Sequence, residues 1–299
     1  MSIITTAPVV PSRVLALYAS LLASPSGENK QRFESLATPP SLRVRGASED
    51  GEATTTLFSS TLRESKLMGL IEEDEERIKV SDEARGKGTK FDPEARLRSY
   101  LAKVLFDPER ADEMKQRGFM IALAWFLKRN PLEPMGFGDP PHKEIAKDLG
   151  ANAGRTELTK LNTWQNFVYW ARFFGFATIT GSKDSKWVVP DPTAAIAGVL
   201  PRLFGDADEL PIDAMMAELA RIYPVFEGGV VRREVEDLWI APADQSSDKR
   251  LSIATSLALQ RLQTSGRIAL IGRADAAVAI LPLGASERRV SHVGLRKMT

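Results

Sequence analysis

The sequence predicts a mainly α-helical chain with small β-hairpins, an α+β fold in which one structural unit is repeated. Three times a long helical pattern ends in a glycine, at Gly69, Gly175 and Gly266. Each time two short apolar segments follow, separated by a polar turn, which is typical of a β-hairpin. We therefore expect three copies of a helix followed by a hairpin.

In each copy a glycine ends the helix and a hairpin follows, for the same physical reasons. A glycine just past a helix end adopts the left-handed conformation that satisfies the last helix carbonyls without steric cost. The return strands of the three hairpins are expected at Ile78–Val80, Trp187–Val189 and Ala277–Leu281. A helix beside a hairpin is the C-terminal half of a winged helix, so the repeat predicts tandem winged-helix (helix-turn-helix) modules.

The segments that precede each long helix fit the same interpretation. Apolar residues at helical spacing predict a first helix over Val14–Leu22 and a short second one over Gln31–Leu36. In the second module, Phe119–Leu127 is an apolar helix, His142–Leu149 with Gly150 resembles the second helix of a helix-turn-helix, and the long helix is expected from about Thr156. The third module has candidate helices at Ala194–Phe204, Asp213–Ile222, Arg232–Trp239 and Leu251–Leu262.

Proline and glycine mark breaks near Arg85–Pro93, Asn130–Pro141, Pro190–Pro192 and Ala241–Lys249. They predict a first winged-helix domain over 1–90 and a second over 91–192 with leading helices around Leu97–Phe106. A third winged-helix-like domain is expected over 193–284, followed by a loosely held basic tail over 285–299. The alternative is a mixed helical protein whose hairpins are incidental.

The composition favours a globular protein of the cytoplasm. Of 299 residues, 43% are hydrophobic and 26% charged, and no stretch approaches the about 18 apolar residues of a membrane span. The N-terminus lacks the pattern of a secretory signal. The absence of cysteine excludes disulfides and thiolate metal sites. The net charge is +1, so binding to nucleic acid would need locally clustered cations.

Residues that could carry catalysis do not converge in the sequence. His142 and His292 belong to different parts of the chain, and neither has metal-ligand spacing around it. Gly86–Lys90 (GKGTK) lacks the spacing of a phosphate-binding loop. Glu113 and Lys115, with Asp107 upstream, imitate a nuclease pattern but lie in a charged helical stretch. We therefore expect no enzyme activity, no cofactor, no metal and no small-molecule substrate.

If the modules bind DNA, the long helix of each would enter the major groove. The second is the most DNA-like, because Lys, Thr and Asn side chains can reach base edges or phosphates. The acidic run Glu72–Glu76 makes the first hairpin poorly suited to phosphate. The candidate DNA-binding residues are Arg63 and Lys66 in the first module, Arg155, Lys160, Thr163, Asn166, Arg172, Lys183 and Lys186 in the second, and Lys249 and Arg250 in the third. Thr56 and Ser59 extend the first set, and Ser252, Ser256, Gln260 and Gln263 form a polar face in the third.

Four segments resemble a bacterial protein family, DpdG, from the 7-deazapurine DNA modification and restriction clusters. They are VLALYASL at Val14–Leu21, LRESKLMGLIEED at Leu62–Asp74, IYPVFEGGVVRREVE at Ile222–Glu236 and LSIATSLALQRLQTSGRIAL at Leu251–Leu270. The resemblance implies an accessory component of a restriction system that acts on DNA lacking the modified base. It transfers no catalytic residue to this sequence.

The leading hypothesis is a non-enzymatic DNA-binding or adaptor subunit of a multi-protein bacterial restriction or antiphage defence system. Its partners would be double-stranded DNA and other subunits, such as a helicase or ATPase. A second hypothesis is a scaffold whose winged helices bind proteins, which the near-zero net charge favours. A transcriptional regulator and a cryptic nuclease are the remaining alternatives.

Overall fold

The computed structural model describes residues 2–6, 9–38, 56–86, 92–183, 185–240 and 249–296. The chain divides into two compact units, Met1–Gln116 and Arg117–Thr299. Small antiparallel sheets of two or three strands accompany a majority of helices, so the mainly helical class with small β-structure is confirmed. The division into three winged-helix domains stays a prediction.

The first unit contains one helix–sheet arrangement, which we call the first motif, residues 11–80. It consists of α1 (Pro11–Leu22), β1 (Glu28–Asn29), α2 (Lys30–Ala37), α3 (Thr56–Leu67), β2 (Ile71–Asp74) and β3 (Arg77–Val80). The sheet is antiparallel in the order β1-β3-β2. Three further helices complete the unit: α4 (Asp82–Arg85), α5 (Pro93–Leu105) and α6 (Pro108–Glu113).

The second motif, residues 117–190, opens the second unit. Its elements are α7 (Arg117–Lys128), β4 (Met135–Gly136), α8 (His142–Leu149), a 3₁₀ helix (Gly150–Thr156), α9 (Leu161–Phe173), β5 (Ala177–Gly181) and β6 (Lys186–Pro190). The sheet order is β4-β6-β5. Gly118–Leu127 of α7 is buried throughout, and the rings of Phe126, Trp164 and Phe167 pack together in the core. This large apolar interior fixes the position of α9.

The third motif, residues 193–295, completes the second unit. It comprises α10 (Thr193–Phe204), β7 (Glu209–Pro211), α11 (Ile212–Ile222), α12 (Val230–Asp237), α13 (Ile253–Thr264), β8 (Ile268–Ile271), β9 (Ala279–Pro282), β10 (Glu287–Val290) and β11 (His292–Leu295). One sheet has the order β7-β11-β8, and β9 pairs with β10 in a separate hairpin. All three motifs therefore have a three-stranded sheet whose last strand lies in the middle.

The three long helices end in the same way. Gly69, Gly175 and Gly266 have φ angles of 66°, 83° and 71°. In each case the residue after the glycine donates its N–H to the carbonyl five positions back, from Leu70 to Ser65 at 2.9 Å in the first motif. The equivalent bonds, Phe176 to Ala171 and Arg267 to Leu262, are 2.8 and 2.9 Å. The left-handed glycine caps predicted from the sequence are confirmed.

The predicted pairing of the third hairpin is wrong. β8 pairs with β11, and the segment predicted as its return strand, Ala277–Leu281, largely forms β9, which pairs with β10. Alternating apolar residues indicate a strand but do not identify its partner, so the pattern in this segment suits either arrangement. The β9–β10 hairpin is inserted in the chain between the paired strands β8 and β11.

The loose tail expected over 285–299 is also wrong as far as residue 296. Glu287–Val290 and His292–Leu295 are strands, and Val290 and Val293 are fully buried. Isolated valines among polar and basic residues supply the inward face, a signal that the basic composition of the segment obscured. The last three residues of the predicted tail, 297–299, lie outside the described residues, as do residues 87–90 of the GKGTK segment and most of the break at Ala241–Lys249.

The long helix of the second motif begins later than predicted. α9 starts at Leu161, whereas Gly150–Thr156 is a 3₁₀ helix that ends before Glu157, whose φ is +57°. Thr163 fixes the start, because its Oγ1 accepts a hydrogen bond from Lys160 N at 3.1 Å.

The short strand β4 lies in the segment that the sequence predicted as a break, Asn130–Pro141. Among the described residues, no helix has the length and apolar character needed to cross a membrane.

Candidate nucleic-acid interface

The exposed face of α9 is the centre of the candidate interface. Most of this helix is buried, because it packs against both α7 and β5. The side chains that remain accessible form one stripe along the helix. They are Leu161, Asn162, Gln165, Tyr169 and Arg172, with Gln165 half-buried.

Two residues predicted on this face are instead in the interior. Thr163 is 5% exposed and Asn166 is 4% exposed. Thr163 Oγ1 also donates to the carbonyl of Lys160 at 2.8 Å, so the hydroxyl is used in capping the helix. The buried arc of α9 is wider than half its circumference, which is why polar residues at helical spacing fell inside it. The prediction that Thr163 and Asn166 contact DNA from this face is therefore wrong.

Four predicted cations of the second motif are exposed. Lys160 precedes α9, Arg172 lies in its last turn, and Lys183 and Lys186 lie at the tip of the β5–β6 hairpin. Within the described part of the chain, none of the four forms an ion pair with a carboxylate. The ammonium of Lys186 lies 5.8 Å from the ring centroid of Phe137. No carboxylate among the described residues competes with phosphate for these charges.

Arg155 has a different environment. Its guanidinium forms an ion pair with Glu234 of α12, and Arg117 contacts the other oxygen of the same carboxylate at 2.5 Å. Arg155 therefore contributes to the contact between the second and third motifs, and part of its charge is compensated. Sequence spacing could not reveal this partner, because Glu234 lies 79 positions further along the chain.

The helix α8 adds exposed cations that the sequence reasoning did not select. Lys143 and Lys147 are exposed beside His142, whereas Ile145 and Leu149 face the core. The sequence could have indicated them, because the two lysines are four residues apart and lie on the helix face opposite the apolar pair. They add positive charge to the helix that precedes the α9 stripe in the chain.

The long helix of the third motif does not present the predicted polar face. Ser256 is fully buried. Gln260 accepts a hydrogen bond from Arg288 of the inserted hairpin at 3.2 Å, and Gln263 accepts one from Leu270 N at 2.8 Å. The other side of Arg288 donates to the carbonyl of Leu270 at 2.7 Å. α13 is thus covered by β9, and its side chains serve internal contacts.

The cations flanking α13 are also engaged. Arg250 forms an ion pair with Glu287, and the backbone of residues 249–251 pairs with Ile280 of β9. Lys249 remains exposed, although its carbonyl accepts a hydrogen bond from Ile280 N at 2.8 Å. The hairpin therefore binds the segment that leads into α13 as well as the helix itself.

A carboxylate occupies the N-terminus of α13. Glu227 accepts hydrogen bonds from Ser252 N at 2.8 Å and from Thr255 Oγ1 at 3.0 and 3.1 Å. Burial would raise the pKa of Glu227, but the nearby Arg232 guanidinium and the Ser252 hydrogen bonds outweigh it and hold that pKa below its ordinary value. Helix N-termini favour anions, and this one is already filled from within the chain.

In the first motif the predicted cations are exposed but paired. Arg63 donates to the buried Glu64 at 3.0 Å. Lys66 and Lys30 both contact Glu73 of β2, and their hydrogen bonds lower the pKa of Glu73. Ser59 is exposed on the same helix, while the side chain of Thr56 lies outside the described residues. The acidic hairpin therefore offsets the helix charge that would meet phosphate.

The residues of the nuclease-like pattern, Glu113 and Lys115, do not lie on a strand in the structure. Glu113 ends α6, and Lys115 follows in the left-handed region with a φ of +58°. In the portions of the chain that are described, no three His, Asp or Glu side chains are placed to hold a metal ion. His142 is exposed at the start of α8, and His292 lies in β11 beside Ser291.

These features define a class: a helical chain with repeated three-stranded sheets and one open, basic helix face. A family model described as DpdG-like matches residues 1–276, and the chain belongs to the DpdG-like family. The resemblance seen in the sequence is thereby confirmed, and it associates the chain with a DNA modification system. No curated protein matches the chain, and no solved structure does.

Proposed function

We propose that the chain is a non-enzymatic DNA-binding subunit, or adaptor, of a multi-protein bacterial restriction or antiphage system, acting in the cytoplasm. The observation that carries the proposal is the α9 stripe together with four exposed cations on or beside it, none of which has a carboxylate partner among the described residues: Lys160, Arg172, Lys183 and Lys186. The exposed Asn162 and the half-buried Gln165 on the same stripe have the donors and acceptors that contact base edges.

The three motifs are best explained as winged helices. Each orders its elements as helix, strand, one or more helices, the long helix and then two strands of one sheet, with the final strand in the middle of that sheet. In the third motif the β9–β10 hairpin lies between those two strands in the chain. In such a module the long helix enters the major groove. Of the three, only the second motif combines an exposed long-helix face with unpaired cations in the described part of the chain.

Binding of the full chain to a fluorescently labelled blunt duplex, followed by anisotropy across a salt series, tests the proposal. Four phosphate contacts predict that the logarithm of affinity falls with the logarithm of salt concentration with a slope of about −3 to −4. A full-chain variant with Lys183 and Lys186 changed to Ala should show a slope smaller by about 2. No binding at low salt would contradict the proposal.

The covered α13 supports a second candidate, a protein scaffold. In this candidate function, the modules of the chain serve contacts within the chain and with other proteins. The protein partner would be a helicase or ATPase of the same system. Co-purification of the full chain with an ATPase encoded beside it, together with no affinity of the isolated chain for DNA at low salt, would favour this candidate over the first.

A further inference from the structure

Tyr169 is an exposed aromatic residue in the middle of the α9 stripe. It is 40% exposed, although the helix around it is largely buried. Gln165 lies one turn before it and Arg172 one turn after it, so the three side chains share a helix face. This face therefore presents an aromatic ring between a polar side chain and a cation.

The ring of Tyr169 is held in place by Phe137. The two ring centroids are 5.7 Å apart with an interplanar angle of 60°. Phe137 is itself fixed by a hydrogen bond from its N–H to the carbonyl of Lys186 at 2.9 Å. Because the ring is already supported, little side-chain entropy is lost when a ligand packs on it.

The cations near this aromatic pair indicate the chemistry of the ligand. Lys186 lies over Phe137, and Arg172 follows Tyr169 on the helix; neither has a carboxylate partner in the described chain. Aromatic rings beside free cations match an unpaired nucleotide, whose base stacks and whose phosphate is anionic. A protein ligand would fit the Tyr169 face equally well only if it presented an apolar centre surrounded by acidic residues.

We propose that Tyr169, supported by Phe137, is a stacking site for one unpaired nucleobase at a junction between duplex and single-stranded DNA. Arg172 and Lys186 would contact the phosphates beside that base. This inference rests on the proposed function, since α9 must first bring the duplex to the second motif. It adds a preference for DNA structure to that function.

The chain offers a matched control for Tyr169. Trp187 is 43% exposed on β6, but its neighbour Val188 is fully buried. Because strand side chains alternate, Trp187 lies on the outer face of the sheet, opposite to the core that contains α9. Trp187→Leu therefore removes an exposed aromatic residue of the same motif without touching the proposed stacking site.

The test compares two labelled DNAs by anisotropy, a blunt duplex and the same duplex with a short single-stranded overhang. The full-length wild type should bind the overhang DNA about tenfold more tightly, the effect of one stacked base. Tyr169→Leu should remove this preference, so that the ratio of the two affinities falls to about one. Tyr169→Phe and Trp187→Leu should both retain it, with circular dichroism confirming that each variant is folded.

The two ideas fail in different ways. Equal affinity of the wild type for both DNAs would overturn the stacking site and leave the DNA-binding function standing. A Tyr169→Leu variant that still binds the overhang DNA about tenfold more tightly would also overturn it, because the residue would then be at most a general contact. No binding to either DNA would overturn the proposed function. Loss of a protein partner by Tyr169→Leu with both affinities unchanged would assign the face to protein recognition.

Discussion

The long helices α9 and α13 occupy equivalent places in two motifs of the same unit, yet their surroundings differ. α9 leaves one stripe open, with Lys160 exposed at its N-terminus. α13 is covered by an inserted hairpin, and Glu227 fills its N-terminus. The same order of elements therefore produces one helix with an available surface and one committed to internal contacts. Function must be argued from the face and its charges, because the arrangement of elements is common to both.

The largest expected effect is on DNA binding. Lys160 and Arg172 lie at the two ends of α9 and have no carboxylate partner among the described residues. Changing both to Glu replaces two cations by anions, and we expect affinity for the blunt duplex to fall at least about a hundredfold. The matched change of Lys249 and Arg250 to Glu alters the same number of charges beside the covered helix. It should weaken binding by less than about threefold in the same anisotropy measurement. Equal losses would contradict the comparison.

The glycine caps allow a matched test of packing. A Cβ on Gly175 would lie 2.7 Å from Ala195 N and 2.9 Å from Ala194 Cβ, whereas one on Gly266 would meet nothing within 4 Å. Both positions carry a left-handed φ, so each alanine variant pays about 1 kcal/mol of strain. Overpacking adds about 1–2 kcal/mol for Gly175→Ala alone. Urea unfolding of the two full-length variants should show this difference; equal midpoints would contradict it.

Removing the charge at the N-terminus of α13 should destabilise the protein in a pH-dependent way. Glu227→Gln leaves the buried Arg232 with less compensation, and we expect a loss of about 2 kcal/mol at pH 7. Because the pKa of Glu227 is lowered in the folded state, its contribution is present above the ordinary pKa and disappears as pH falls through the lowered value. The unfolding free energies of variant and wild type should converge in acid.

A control for this variant is Glu218→Gln. Glu218 forms an exposed ion pair with Arg221 at the surface of α11. Such pairs contribute little, so its loss should change the unfolding free energy by no more than about 0.5 kcal/mol. A pH-independent difference between wild type and Glu227→Gln would show that the carboxylate acts only by packing.

The smallest expected effect concerns the inserted hairpin. Arg288→Ala removes the hydrogen bonds to Gln260 and to the carbonyl of Leu270, which should lower the local stability of β9 and β10 by about 1 kcal/mol. Hydrogen exchange of amides in 279–290 should become about fivefold faster. Arg289→Ala, at the neighbouring exposed position, should leave exchange unchanged. Unchanged exchange in both variants would show that α13 is covered without help from Arg288.

Local signals predicted much of the fold. Apolar periodicity located α7, α8 and α11, and the glycines at 69, 175 and 266 marked the helix ends, because these features depend on neighbours in sequence. The pairing of β8 with β11 was missed because it joins residues more than 20 positions apart. Nothing local distinguishes that partner from the nearer strand β9.

The candidate site was predicted only in part for the same reason. Lys160, Arg172, Lys183 and Lys186 are exposed as expected, since charged side chains rarely enter a core. Whether Arg155, Arg63 or Lys66 is compensated depends on carboxylates brought close by folding. The burial of Thr163 and Asn166 depends on how many neighbours surround α9, which composition does not encode.

The placement of β11 has a consequence for protein synthesis. β7 and β8 are separated by more than 50 residues, and each is hydrogen-bonded to β11 and not to the other. While the chain is still emerging from the ribosome, both strands have unpaired backbone edges until residues 292–295 are released. Such edges can recruit strands from other chains. Truncation of the chain before residue 292 should therefore raise its aggregation more than truncation after residue 296.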